Sequence, residues 1–436
     1  MKRVPVQLPR GARIYLPEEA ARKRRVETQL LDVFSRWGYR EIVTPGFEYF
    51  DILALGTDHE LQDNMFKLTD RETGRTLALR ADITPQVARI VASRMRDEPK
   101  PIRLAYLTNL FRYDEPQISH YREFYQAGAE LIGLEKPEAE AEVLAMTVEG
   151  LRALGLQRFQ IDVGHPDFFR GLLEEIKTDT EHERELREAL LRKDLSTLER
   201  LVHELAPPAH MADALLALPS LFGEASVIER AMPFARNARS ERALTNLAEV
   251  HRLLRIYGLA DAVLIDLGEV RGFDYYSGLH FEAYVADFGA AIAGGGRYDD
   301  MIGRFGYDCP AVGFAFDIGR TLSVMEGQGI IVDVPGPDFF IIDFTPEKTA
   351  ALSLARRLRD GGASVARDII SRGLDESLAY ARAQRARYAL VVGSPRTNAG
   401  QLLAVDLIGG AERTLDVTAV LGEPDRYFAR RGAQHA

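Results

Sequence analysis

Arg271-Gly-Phe-Asp-Tyr-Tyr-Ser-Gly-Leu-His-Phe-Glu282 decides the reading of this chain. It opens with a charge and a pair of aromatics, then alternates apolar and polar residues through Tyr284, the period of a strand. Gly294-Gly-Gly-Arg-Tyr-Asp299 follows, where a glycine triplet permits positive φ or close approach to another chain segment. Next comes Ala311-Val-Gly-Phe-Ala-Phe-Asp-Ile-Gly-Arg320, an apolar strand running towards a helix with an arginine at the junction. One arginine, two tyrosines, a glycine turn and a second arginine on sheet elements are expected to form one wall of a small-molecule pocket. For the glycines alone, an ordinary hairpin is an equally good account.

The 436 residues suffice for two or three domains with substantial cores. With 46% hydrophobic and 28% charged residues, the composition is that of a globular protein with water on its surface. Met1 to Arg25 is charged, without the apolar run of a signal peptide, and no segment is long enough to span a bilayer. A single cysteine, Cys309, excludes an intrachain disulfide and a cysteine-based zinc cluster. The expected location is cytoplasmic, with no metal and no cofactor. A formal net charge of −10 argues against broad nucleic-acid binding.

Working outward, Pro17 stands where a helix would begin, with Val26, Leu30, Phe34 and Trp37 on one face and Gly38 at its end. Tyr39 to Glu48 reads as a strand, and Pro45 confines it to an edge or a subunit boundary. In Leu79-Arg-Ala-Asp-Ile-Thr-Pro-Gln-Val-Ala-Arg89, Thr84 is a natural N-cap, Pro85 a natural first helical residue, and Asp82 lies beside the helix N-terminus. Ile102 to Asp114 and Tyr121 to Gly133 read as an antiparallel pair carrying Arg112, Arg122, Gln126 and Glu130. Gln126 and Glu130 are four apart and share one face of the sheet. Solvated outward positions would explain these polar residues, and simple capping would explain Asp82. Residues 166–258 carry charged helical patterns with proline breaks and read as a helical insertion. Pro335-Gly-Pro337 then marks a joint, after which strand and helix alternate. The expected organisation is α+β: a core over residues 1–335 holding that insertion, and a small α/β domain over 336–436.

The chain has no P-loop, G-x-G-x-x-G, H-E-x-x-H or G-x-S-x-G motif. It resembles the histidyl-tRNA synthetase family over nearly its whole length. The Arg271–Gly278 run resembles that family's histidine-binding signature. Phe111-Arg-Tyr-Asp-Glu-Pro-Gln117 with Tyr121-Arg-Glu-Phe-Tyr-Gln126 resembles class II motif 2. The Val26–Trp37 helix with the Pro45 strand is similar to motif 1, a dimer-forming element. The strand ending at Arg320 is similar to motif 3, and the tail to an anticodon-binding domain.

The departures point to a paralogous family. Asp82 stands where the synthetase has a glutamate, Asp114-Glu115 where it has Glu-Arg, Ser119-His120 where it has Gly-Arg, and Asp317 and Gly319 where it has a glycine and a glutamate. In these respects the chain resembles the regulatory subunit of ATP phosphoribosyltransferase, in histidine biosynthesis. A unit charge misplaced about 4 Å from a phosphate costs on the order of 4 kcal/mol at an effective dielectric of about 20, so Glu115 and His120 count against ATP. The resemblance implies no catalysis by this chain alone, a catalytic phosphoribosyltransferase subunit as partner, and histidine as effector. It also implies a homodimer within a larger hetero-oligomer, with neither tRNA nor membrane as partner; the alternative is the synthetase itself. The implied histidine pocket comprises Asp82, Thr84, Arg112, Gln126, Glu130, Arg271, Tyr275 and Tyr276. Arg271, assisted by Arg112, would hold a carboxylate, Asp82 an ammonium, and Glu130 with a tyrosine an imidazole.

Overall fold

The first helix, α1 (Pro17–Arg36), starts with a proline where no backbone donor is needed and with Glu18 and Glu19 facing the positive end of the dipole. The Glu19 carboxylate accepts the Leu16 amide at 3.0 Å. A computed structural model describes residues 7–113, 121–176, 178–270, 275–370, 372–423 and 426–428. After α1 come β1 (Arg40–Glu41), β2 (Phe47–Tyr49), α2 (Phe50–Leu53), α3 (His59–Asp63), β3 (Lys67–Thr69), β4 (Thr76–Leu79) and α4 (Thr84–Arg94). The long hairpin of β5 (Ile102–Phe111) and β6 (Glu123–Ile132) leads to α5 (Pro137–Ala153) and β7 (Phe159–Gly164). A mostly helical stretch follows: α6 (Pro166–Ile176), α7 (Thr180–Leu191), α8 (Leu195–Leu205), α9 (Ala209–Ala217), the two-residue β8 (Phe222–Gly223), α10 (Ser226–Ala231) and α11 (Ala238–Tyr257). Then β9 (Val263–Asp266), β10 (His280–Val285), β11 (Ala293–Arg297), α12 (Asp299–Gly303), β12 (Ala311–Asp317) and α13 (Ile318–Gly327) complete the larger unit.

Among the described residues its main sheet has nine strands, ordered β1-β5-β6-β12-β11-β10-β7-β9-β8, while β2, β4 and β3 form a small sheet of their own. The pairing is largely antiparallel, with β1 parallel to β5 at one edge and β7 parallel to β9 near the other. This is the α+β, class II synthetase-like architecture that the motifs implied. Helices α1 and α5 bury one face of the sheet under Leu30, Phe34, Leu144 and Val148, all with no exposure.

Three local expectations change. The apolar face of α1 packs into the chain's own core, with Val26, Leu30 and Phe34 buried and Trp37 half-buried, so it leaves no free stripe for a second copy. Trp37 Nε1 donates to Glu149 at 2.7 Å. The glycine triplet is no turn: Gly294–Gly296 form the middle of β11, between β10 and β12. And Thr84 is the first residue of α4, with Ile83 at the cap position.

The chain divides into two compact units, Met1–Val332 and Asp333–Ala436. The second contains β13 (Phe339–Asp343), α14 (Thr349–Asp360), β14 (Val365–Arg367), α15 (Leu374–Ala383), β15 (Tyr388–Val392), β16 (Gln401–Asp406), β17 (Glu412–Asp416) and α16 (Val417–Gly422). Its sheet runs β14-β13-β15-β16-β17. The first three strands are parallel, as alternating strand and helix requires, and the last two join antiparallel.

Candidate functional site

The open face of the main sheet carries a cavity of about 410 Å³. Asp82, Thr84, Arg112, Gln126, Glu130, Tyr275 and Tyr276 all line it. Arg271, the eighth residue of the expected pocket, lies outside the described residues. So do Asp114, Glu115, Ser119 and His120. The gathering follows from register. Glu130 pairs with Gly313 and Gln126 with Asp317 across β6 and β12, so the period of two delivers both polar side chains to one face.

Glu130 is the centre of the buried part. Its exposure is 1%, and it accepts hydrogen bonds from Thr84 Oγ1 at 3.0 Å and from the Tyr298 hydroxyl. Burial pushes its carboxyl up to about 8; the Tyr298 and Thr84 bonds pull it down less, and the charge of Asp82 adds to the rise. Asp82 closes the other side. It accepts the Thr84 amide at 3.3 Å and stands 3.5 Å from the Tyr275 hydroxyl. Arg112 is anchored at the rim by donating Nε to the Ala81 carbonyl at 2.7 Å. Tyr275 and Tyr276 meet edge to face, their centroids 4.9 Å apart, and Tyr276 lies nearly parallel to His280 at 5.7 Å. Burial raises both tyrosines above the ordinary phenol range.

The floor is backbone because nothing larger fits. A Cβ on Gly313 would fall 1.6 Å from Glu130 Oε2, and one on Gly296 would fall 2.8 Å from the Tyr276 ring. Gly313→Ala is therefore expected to destabilise the larger unit by about 1–3 kcal/mol through overpacking beside a buried carboxyl. Thermal unfolding checks this, and an unchanged melting temperature would refute it.

Sequence reasoning missed several participants. Tyr298, the donor to Glu130, sits in the Gly294–Asp299 run, where no local pattern marks it as a cavity residue. Asp58, Glu60 and Asn64 reach the cavity from α3 and its cap, a five-residue helix with no periodicity to read. Arg320, expected in the wall, is not among the lining residues. It donates Nη1 to the Ala291 carbonyl at 2.9 Å and pairs with Asp317 at 3.4 Å. Arg297 is likewise behind the wall, in a buried pair with Glu140 at 2.7 Å.

The lining has a charge preference. Asp58, Glu60, Asp82 and Glu282 face the cavity beside the neutral, protonated carboxyl of Glu130, against Arg112 as the guanidinium among the described residues. Such a lining suits a ligand with an ammonium or a nitrogen heterocycle.

Residues 11–321 match the family model described as histidyl-tRNA synthetase. The chain is 41% identical to the ATP phosphoribosyltransferase regulatory subunit of Syntrophotalea carbinolica, over 95% of this chain and 96% of that one. It is 43% identical to the protein of the same name from Geobacter metallireducens, over 88% and 89%. Among solved structures it resembles an ATP phosphoribosyltransferase regulatory subunit/histidyl-tRNA synthetase from Bacillus halodurans, with TM-score 0.78, 29% identity and coverage of 90% of this chain and 99% of that one. A histidyl-tRNA synthetase from Nostoc superposes with TM-score 0.82 at 20% identity, over 98% and 100%, which speaks for the fold alone.

Proposed function

The chain belongs to the ATP phosphoribosyltransferase regulatory subunits, a family on the histidyl-tRNA synthetase fold, and from that membership we propose that it activates a short-form catalytic subunit without catalysing a reaction itself. In this reading the partner is the phosphoribosyltransferase of histidine biosynthesis, and free histidine is sensed in the cavity on the open face of the sheet.

One observation carries the sensing part: the acid-rich cavity built on Glu130, Asp82 and the tyrosine pair. Asp82 would take the ammonium and Glu130 the ring. The tyrosines give the ring an aromatic wall, and Arg112, with Arg271 as the sequence implies, would take the carboxylate. Loss of adenylation is supported by the Arg320–Asp317 pair, which engages the cation at the strand–helix junction that resembles motif 3. Homodimerisation belongs to the same proposal. With the face of α1 buried, the candidate surface is the segment after the edge strand β1, where Val43 is 85% and Phe47 57% exposed. A cytoplasmic setting is consistent with the lone, buried Cys309. Among the described residues no helix is long and apolar enough to cross a membrane.

Reconstitution tests the proposal. Purified chain mixed with a short-form phosphoribosyltransferase should raise its turnover severalfold or more, and added L-histidine should lower the activity of the complex. Sedimentation of the chain alone reports whether it dimerises before the partner binds. No activation, together with histidine-dependent pyrophosphate exchange into ATP, would replace this reading with the synthetase.

A further inference from the structure

Tyr275 and Tyr276 border two cavities and so form a shared partition. The same two residues, with Asp58, also line a second cavity of about 450 Å³, together with Arg170, Arg239, Ser277 and Arg304. Tyr275 packs near Tyr298 and Tyr276 on His280, and hydrogen bonds fix the backbone that carries the two rings. From the core, the Ser277 amide donates to the Arg297 carbonyl at 2.8 Å, and the Asp299 amide donates to Ser277 Oγ at 2.7 Å. From the helical insertion, Arg170 of α6 donates Nη2 to the carbonyl of Tyr276 at 2.9 Å.

Arg170 is itself rigidly placed. Its Nη1 donates to Asp167 at 3.0 Å, and Asp167 pairs with Arg239 of α11 at 3.2 Å. Arg239 also pairs with Glu174, back on α6. The two helices touch at Gly171, where a Cβ would meet Ser240 Oγ at 2.2 Å. Asn237 Nδ2 donates to the Gly171 carbonyl at 3.1 Å, and Ser240 Oγ donates to the Phe168 carbonyl at 3.2 Å. Helices α6 and α11 are therefore tied to one another, and Arg170 links them to the tyrosine pair.

We infer that Arg170 is a positioning residue: it sets the Tyr275–Tyr276 partition for ligand and links occupancy of the sheet cavity to the helical insertion. The ligand part rests on the histidine reading above; the positioning part does not. A ligand that shifts the partition shifts the helices tied to it, and a partner that binds those two placements unequally alters affinity in the cavity by the same factor. A partner subunit seated on α6 or α11 would thus change histidine affinity without touching histidine.

The test compares wild type, Arg170→Met and Arg170→Lys by hydrogen–deuterium exchange and by calorimetric titration with L-histidine. Methionine keeps the length and removes the donors, whereas lysine retains one cationic donor for the carbonyl. In Arg170→Met the segment 275–278 should exchange faster with no ligand present, and histidine affinity should fall at least tenfold. In wild type, histidine should slow exchange in 166–176 and 238–257. That protection should vanish in Arg170→Met and return in part in Arg170→Lys. Unchanged exchange in 275–278 overturns the positioning role, as does an affinity loss that merely tracks a lower melting temperature. If wild type gives no heat with histidine, the ligand assignment falls, and the ligand-free exchange comparison alone upholds or overturns the positioning role.

Discussion

Glu140→Ala is expected to destabilise the larger unit by about 3–5 kcal/mol, because it strands a guanidinium in the interior. Arg297 and Glu140 meet through two hydrogen bonds of 2.7 Å, with side-chain exposures of 6% and 1%. Burial alone would lower the guanidinium's pKa, but the bidentate Glu140 carboxylate outweighs it and holds Arg297 above its ordinary range. Asp299, 3.1 Å from Arg297, is left as a counter-charge, which places the expected loss towards the low end. The pair also organises its surroundings. Arg297 continues the glycine strand β11, Glu140 belongs to α5, and Asn246 of α11 donates to Glu140 at 3.3 Å. Losing the carboxylate therefore loosens the sheet, its covering helix and the insertion together. Urea denaturation checks this; a transition within about 0.5 kcal/mol of wild type would show that the pair contributes little. Replacing Arg297 with Met at the same time should recover part of the loss, since removing both charges is far milder than removing one.

The sequence showed the parts of this site that obey a period. Gln126 and Glu130 share a sheet face because strand side chains alternate, and the amphipathic pattern of α1 marked its buried side. What the pattern could not show was who occupies a neighbouring position. The apolar face of α1 looked available to a second subunit, and only packing against α5 and the sheet shows it covered. Arg297 and Arg320 both stand beside a glycine in the sequence. Their partners, Glu140 and Asp317, decide that neither lines the cavity. Thr84 looked like a helix cap because its own neighbours suggest one. Its hydroxyl instead bonds Glu130, 46 residues on, a contact no local rule contains. The rim from α3 was illegible for the opposite reason: five residues are too few to carry a period.

Glu130 should make the protein lose stability as pH rises. Its carboxyl titrates near 8 in the folded chain, pushed up mainly by burial, against 4.5 for an ordinary glutamate. Between those values the folded chain holds a proton that the unfolded chain has released, so each rise in pH favours unfolding. The stability this proton contributes is complete below about pH 4.5, declines by about 1.4 kcal/mol per pH unit, and is gone above about pH 8. Glu130→Gln keeps the shape and cannot titrate. The stability of wild type minus that of the variant should therefore fall steadily from about pH 5 to pH 8 and then level off. Denaturant titrations of both proteins across that range give the slope, and a flat difference would mean Glu130 is ionised in the folded state. Ligand binding should follow a different profile, because it concerns the folded chain alone. Below pH 8 the protonated carboxyl offers one O–H to an unprotonated ring nitrogen while its other oxygen still accepts from Thr84 or Tyr298. The glutamine amide offers the same pair. Histidine should therefore bind Glu130→Gln within a few-fold of wild type at pH 7 and bind Glu130→Leu at least tenfold more weakly. A Gln variant as impaired as the Leu variant at pH 7 would show that the pocket needs the carboxylate charge rather than its proton.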